Sequence, residues 1–279
     1  MLASPSPAPT APHEVLRLAE ELNTHLPLRP TERRRETPRY VLCQSAMPGP
    51  YGTVIQRLRL PDAGPALADA VSEVRALLRQ EGVPAATWEV GPSSTPDPEA
   101  LCLGLQALGM VPAPDPVAAA MVLCEAPRFP MESPPGEAPL RVERATTLAD
   151  FRSGQELLWQ CFGFPPDEAA LAAVEVEFRH AQSAPDWQRY LAWQGEQLVA
   201  AADAIITPWA MVLGGGATLP EARGRGAYRA LLAARWQEAQ RRGTPWIVIQ
   251  AGAMSRPILQ RLGFQEVALV RIFVDELRE

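Results

Sequence analysis

Residues 217–232 read Ala-Thr-Leu-Pro-Glu-Ala-Arg-Gly-Arg-Gly-Ala-Tyr-Arg-Ala-Leu-Leu. An apolar run at 210–213 and a glycine triplet, Gly214, Gly215 and Gly216, precede them, and Thr218 and Leu219 close the extended segment before Pro220. This reads as a strand with a break in it. Arg223-Gly224-Arg225-Gly226 then turns the chain without bulky side chains, and Tyr228, Leu231, Leu232, Trp236 and Ala239 follow at helical spacing. The product is a strand, a glycine-rich turn and a helix. The first N–H groups of such a helix have no carbonyl to bond, and they point the same way as the positive end of the helix dipole, which makes the turn an anion site. Arg223, Arg225 and Arg229 form a basic cluster around it.

The turn resembles the acyl-CoA loop of the GNAT N-acyltransferase superfamily, written Arg/Gln-x-x-Gly-x-Gly/Ala. Arg223 and Gly226 match it, whereas Tyr228 stands where Gly or Ala is usual. The following segments fit as well: a helix to Arg242, a turn at Gly243-Thr244-Pro245, a strand at 246–249, a short helix from Ser255, then Leu262-Gly263-Phe264. The resemblance implies an α/β (α+β) fold, with a mixed, largely antiparallel sheet flanked by helices. It also implies acetyl-CoA as co-substrate. Ala217, Thr218 and Leu219 would meet its pantetheine arm, and Arg223, Gly224, Arg225, Gly226, Ala227 and Tyr228 its pyrophosphate.

A chain of 279 residues is long enough for about two domains with a core each. The first half repeats signals of the second. Gly82-Val83-Pro84 precedes Gly243-Thr244-Pro245 by 161 positions, and Leu108-Gly109-Met110 precedes Leu262-Gly263-Phe264 by 154, so about seven extra residues sit near 96–99. We therefore expect two tandem copies: a degenerate GNAT-like domain at 13–129, a Pro-rich linker at 130–139 and an acyltransferase domain at 140–279, after a disordered tail at 1–12. Where the second copy has its glycine turn, the first has Asp62-Ala63-Gly64-Pro65, with an acid in place of an arginine and a proline that cannot donate. The first copy is not expected to bind CoA.

Elsewhere in the first half, the pattern predicts a helix from His13 to Asn23, strands at 40–46, 53–60 and 85–90, and a helix bearing Leu67, Val71, Val74 and Leu78 that ends at Gly82. In the second half it predicts a strand at 140–144, a helix capped by Thr147 and Asp150, a helix from Asp167 to His180, and strands at 189–193 and 197–207.

Net charge is −6, which argues against a nucleic-acid partner, and with no lysine in the chain all 26 basic residues are arginine. No apolar run reaches the roughly 20 residues needed to span a bilayer, so neither a membrane nor export is expected, and the location expected is cytoplasmic. Cys43, Cys102, Cys124 and Cys161 lie far apart, and His13, His25 and His180 lack ligand spacing, so no metal is expected.

Moving an acetyl group from a thioester to a primary amine needs a polarised carbonyl, a neutral amine and a leaving thiolate. Asp203, Glu156 and Asp167 are the carboxylates that could serve as base. Relatives often carry a tyrosine as general acid three residues before Leu-Gly-Phe; here that position is Leu259. Ser255, one turn earlier, could substitute or could simply cap its helix. Glu156, Trp159, Phe162 and Phe164 could line the acceptor site for a small-molecule or peptide amine, and an oligomer is compatible with the chain. The other reading is a catalytically silent acyl-CoA-binding or interaction module of the same fold.

Overall fold

The computed structural model describes residues 11–47, 49–127, 139–164, 166–184 and 186–277. The expected tail up to residue 10 and the Pro-rich linker up to 138 lie outside these.

Helices α1 (His13–Glu20) and α2 (Leu22–His25) come first, and α1 buries Val15, Leu18 and Ala19. Glu21 divides the helix expected to run to Asn23. Strands β1 (Arg33–Glu36), β2 (Val41–Gln44) and β3 (Thr53–Gln56) form an antiparallel meander. β1 reads Arg-Arg-Arg-Glu and had no apolar alternation to announce it. Then follow α3 (Pro65–Gln80), β4 (Ala85–Val90), α4 (Pro98–Ala107) and β5 (Val111–Leu123). Gly82 takes the left-handed conformation that its place after α3 requires, with φ of 70°.

The second half runs β6 (Leu140–Arg144), α5 (Leu148–Phe162), α6 (Glu168–Ser183), β7 (Trp187–Gln194), β8 (Gln197–Ile206), β9 (Met211–Thr218), α7 (Ala227–Arg241), β10 (Ile247–Ala251), α8 (Arg256–Arg261) and β11 (Gln265–Glu276). Thr147 caps α5 by accepting from the Asp150 amide at 3.1 Å, and Gly163 closes that helix in the left-handed region.

All the strands join one sheet, in the order β1-β2-β3-β4-β11-β5-β10-β9-β8-β7-β6. Its middle is an exchange. β5 pairs antiparallel with β10, from Leu123 against Ile247 to Ala119 against Ala251, while β11 pairs antiparallel with β4, from Val90 against Arg271 to Ala85 against Glu276. The last strand of each half therefore lies against the other half, and the two are paired with each other. β5 tolerates three prolines because its buried pairing is confined to Ala118–Leu123. Pro114, Asp115 and Pro116 bow out where the register shifts between Val117 and Pro112.

Among the described residues, only two neighbouring strand pairs are parallel, β3 with β4 and β9 with β10, and each is paired over two residues. α1 lies across the centre of the sheet, packing Val15, Leu18 and Ala19 on Ala120, Val122, Val212 and Val248. One core holds α3 and α4 against the first-half strands together with Phe273 of β11, and another holds α5, α6 and α7 against the second-half strands.

Candidate functional site

The glycine triplet is not a break. β9 is continuous and bulged: Ala217 pairs with Ala201 and Gly214 with Asp203, so Gly215 and Gly216 together face the single residue Ala202. Gly215 has φ of 20°, at the margin of what side-chain-bearing residues adopt. β9 and β10 are hydrogen-bonded partners only at Met211/Ile247 and Val212/Val248. Beyond them the two strands diverge, and one edge of β9 from Leu213 onward faces a wedge-shaped opening.

The head of α7 faces the end of that wedge. Gly224 and Gly226 have φ of 81° and 90°, and Gly226, the N-cap, makes no side-chain capping bond. The helix thus begins with N–H groups that no helix carbonyl can reach and no side chain caps. A Cβ at Gly226 would meet only Leu140 Cδ1, at 3.7 Å, so backbone conformation rather than crowding demands glycine. Arg223 donates from Nε to the Thr218 carbonyl at 3.3 Å, which ties the turn to the end of β9; Arg225 and Arg229 are exposed beside it. Tyr228, the departure from the usual loop, packs inward. Its ring is the nearest side chain on the α7 side to Gly216, and burial raises its phenol pKa, so it does not occupy the anion-facing side of the turn. A diphosphate fits this head, and an extended arm fits the wedge.

The first half closes both features. At the head of α3, Asp62 Oδ1 accepts from the Gly64 amide at 2.9 Å and the Ala66 amide at 3.0 Å. The chain's own carboxylate thus occupies the place of an anion, and Pro65 has no N–H to offer. The wedge after β3 and β4 is filled too. Thr95 donates to the Leu58 carbonyl at 3.0 Å and accepts from the Leu60 amide at 3.1 Å, so it bridges the gap as a parallel strand would, just ahead of the extra residues expected near 96–99, where α4 begins.

On the α1, α5 and α6 side of the sheet, the β9 bulge opens into two adjoining cavities of about 480 and 210 Å³. Both are bounded by Gly214, Gly215, Ile205, Trp187, Arg29 and Met47. The smaller is walled by Trp159, Phe162, Phe164 and Glu177. Arg29 and Met47 belong to the first half of the chain, so both halves build the wall.

The carboxylates expected as base are placed otherwise. Asp203 reaches this cavity, but both its oxygens are held by Arg189, Nε to Oδ1 at 2.8 Å and Nη2 to Oδ2 at 3.0 Å, and the pair is buried. With both oxygens taken by one buried guanidinium fork, the pair reads as structural. Asp167 caps α6, accepting from the Ala170 amide at 2.7 Å. Glu156 faces a separate groove of about 400 Å³ with Trp159, Gln160, Gly163, Phe164 and Pro166. Ser255 neither caps α8 nor points free: its hydroxyl donates to the Gly252 carbonyl at 3.3 Å. Leu259 is fully buried in the core.

Sequence reading missed Glu177, Arg29 and Trp187. Glu177 had a signal: with Val174 and Ala181 it forms the buried stripe of α6, where a carboxylate at an apolar position should have stood out. Arg29 and Trp187 had none, because their meeting depends on the arrangement of the halves. The Arg29 guanidinium lies 5.0 Å from the Trp187 ring centre and pairs with Glu32 at 2.5 Å.

No family model and no curated protein matches the chain. Solved structures do. A GCN5-related N-acetyltransferase from Kribbella flavida is 15% identical with a TM-score of 0.65, over 94% of this chain and 95% of that one. One from Sphaerobacter thermophilus is 18% identical with a TM-score of 0.60, over 87% and 82%. A tandem GNAT protein from the clavulanic acid biosynthesis pathway, solved without AcCoA, is 15% identical with a TM-score of 0.57, over 99% and 91%. At such identities the likeness is one of fold: the chain has the GNAT fold in tandem.

Proposed function

We propose that this chain is an acetyl-CoA-dependent N-acetyltransferase with one working site, in the half spanning 140–279. The observation that carries the reading is the contrast between the two helix heads: α7 is uncapped beside an open wedge, whereas α3 is capped by Asp62 beside a filled one. Solved proteins of this fold bear the name N-acetyltransferase, which supports the reaction class.

Acetyl-CoA would supply a thioester, whose carbonyl carbon is open to attack by an amine. The amides at the head of α7, between Gly224 and Tyr228, hold the diphosphate against the helix dipole. On the outer edge of β9, Thr218 offers its amide to the pantetheine arm between Ala217 and Leu219, the Leu219 N–H being held by the Val199 carbonyl and the Thr218 carbonyl by Arg223, and the bulge at Gly215 and Gly216 borders the cavity where a carbonyl oxygen gaining charge needs donors. No protein group is required to protonate the departing sulfur. Alkyl thiols have pKa of about 8.5, so Leu259 in place of tyrosine lowers the rate without forbidding the reaction.

Leu259 also favours the second reading, a silent acyl-CoA-binding module. Thiol release from acetyl-CoA in the presence of a panel of amines separates them. Turnover with an amine supports the enzyme, and CoA binding with no turnover on any amine supports the silent module.

A further inference from the structure

We infer that Glu177, held from the first half of the chain, is the proton acceptor for the amine, and that the acceptor is a primary amine with an aromatic or apolar body. This rests on the acetyltransferase reading above.

Glu177 belongs to the small cavity that contains the β9 bulge. Its residue is 8% exposed, and the bond found for its carboxylate comes from the first half: the Thr31 hydroxyl donates to Oε1 at 3.1 Å. Among the described residues, no arginine or histidine lies within ion-pair distance of it. The charged groups around it are otherwise committed. Arg29 pairs with Glu32, and Arg189 is forked onto Asp203. His180, on the same helix, lies against Trp187 with ring centres 6.4 Å apart. Arg29 feels the Glu177 charge across the cavity, but its direct partner is Glu32, and a buried carboxylate with one neutral donor and no direct cationic partner is costly unless something cationic visits it.

The remaining wall specifies the visitor's body. Trp159, Phe162, Phe164, Leu158, Val174 and Met47 offer apolar and aromatic surface. The indole N–H of Trp187, a residue 2% exposed, has no acceptor. An aromatic ring fits such a wall better than a polyhydroxylated or polycationic body, which would leave its own polar groups unpaired there.

The chemistry requires a base at this place. An alkylammonium with pKa of about 10 is neutral in only about one molecule per thousand at pH 7. Glu177 takes one N–H proton and frees the nitrogen lone pair. Nitrogen then bonds to the acyl carbon, and the C–S bond breaks with its electron pair going to sulfur. The second nitrogen proton ends on the thiolate, and the carboxyl returns its proton to water.

The test is Glu177→Gln, which keeps an oxygen for Thr31 and so preserves the local bond. With phenethylamine, kcat is expected to fall at least 100-fold while KM for acetyl-CoA stays within threefold. With aniline, which is neutral at pH 7, the loss is expected to be under tenfold. By calorimetry on the CoA complex, phenethylamine should bind at least tenfold tighter than ethanolamine or spermidine in the natural chain, and at least tenfold weaker in the variant. Equal losses with both amines, or amine binding unchanged by the substitution, overturn the assignment of Glu177. Preference for ethanolamine or spermidine overturns the acceptor class. No turnover of any amine by the natural chain overturns the acetyltransferase reading and the proton step with it, even if binding still depends on Glu177.

Discussion

The buried carboxylates of this molecule differ in what holds them. Glu89, on β4, is buried and accepts from Gln56 Nε2 at 2.9 Å, and burial pushes its pKa up to about 7. The neutral form is thus favoured by folding, and the stability it confers is complete below about 4.5 and lost as pH rises through 7. A shift of this size corresponds to about 3 kcal/mol. Glu89→Gln, which has no such titration, should therefore gain about that much on the natural chain between pH 4 and pH 8, as read by urea melts at each pH; a pH-independent difference would refute the burial argument. The Asp203–Arg189 pair was half legible. Sequence placed Asp203 on the right strand, but only the sheet shows that Arg189 is its directly opposite cross-strand partner. Leu259 and the departure at Tyr228 were readable from the motif, whereas the inward turn of Tyr228 was not.

The heads of α3 and α7 differ in capping, and their sequences announced the difference. Glycines at 224 and 226 on one side, and Asp62 and Pro65 on the other, are local choices whose consequences need no distant partner. Asp62→Ala removes two capping bonds and should cost about 1 kcal/mol, seen as a lower Tm. It should not create a second acetyl-CoA site, because Thr95 still fills the neighbouring wedge; new binding in that variant would show that the carboxylate alone seals the first half. Gly226→Glu places a negative side chain at the uncapped head of α7, at a φ of 90° that no other residue adopts comfortably. Elements without a local signal were missed. β1 is nearly all charged, and β11 gave no hint that its partners would be β4 and β5.

At the scale of the whole molecule, the exchange of β5 and β11 makes the halves interdependent, though the sequence repeats suggested two self-contained copies. Buried Asp275 on β11 is gripped by Arg75 of α3, Nη2 to Oδ1 at 2.8 Å and Nε to Oδ2 at 3.0 Å. Asp275→Ala strands a charge and should cost about 3 kcal/mol. Urea unfolding should show one transition for the intact chain, and a chain ending at residue 264 should lose the cores of both halves; a truncated chain that keeps a cooperative second-half transition would contradict the exchange. The repeats were legible because each half kept its turns, and the exchange was not, because strand order is a property of pairing rather than of any strand's composition. The proposed activity rests on one ligand held at the head of one helix. Titration calorimetry of acetyl-CoA should give one site per chain, and no binding to Gly226→Glu, measured well below the Tm of that variant, which strain at a φ of 90° lowers. Two sites per chain, or binding that survives the substitution, would contradict it.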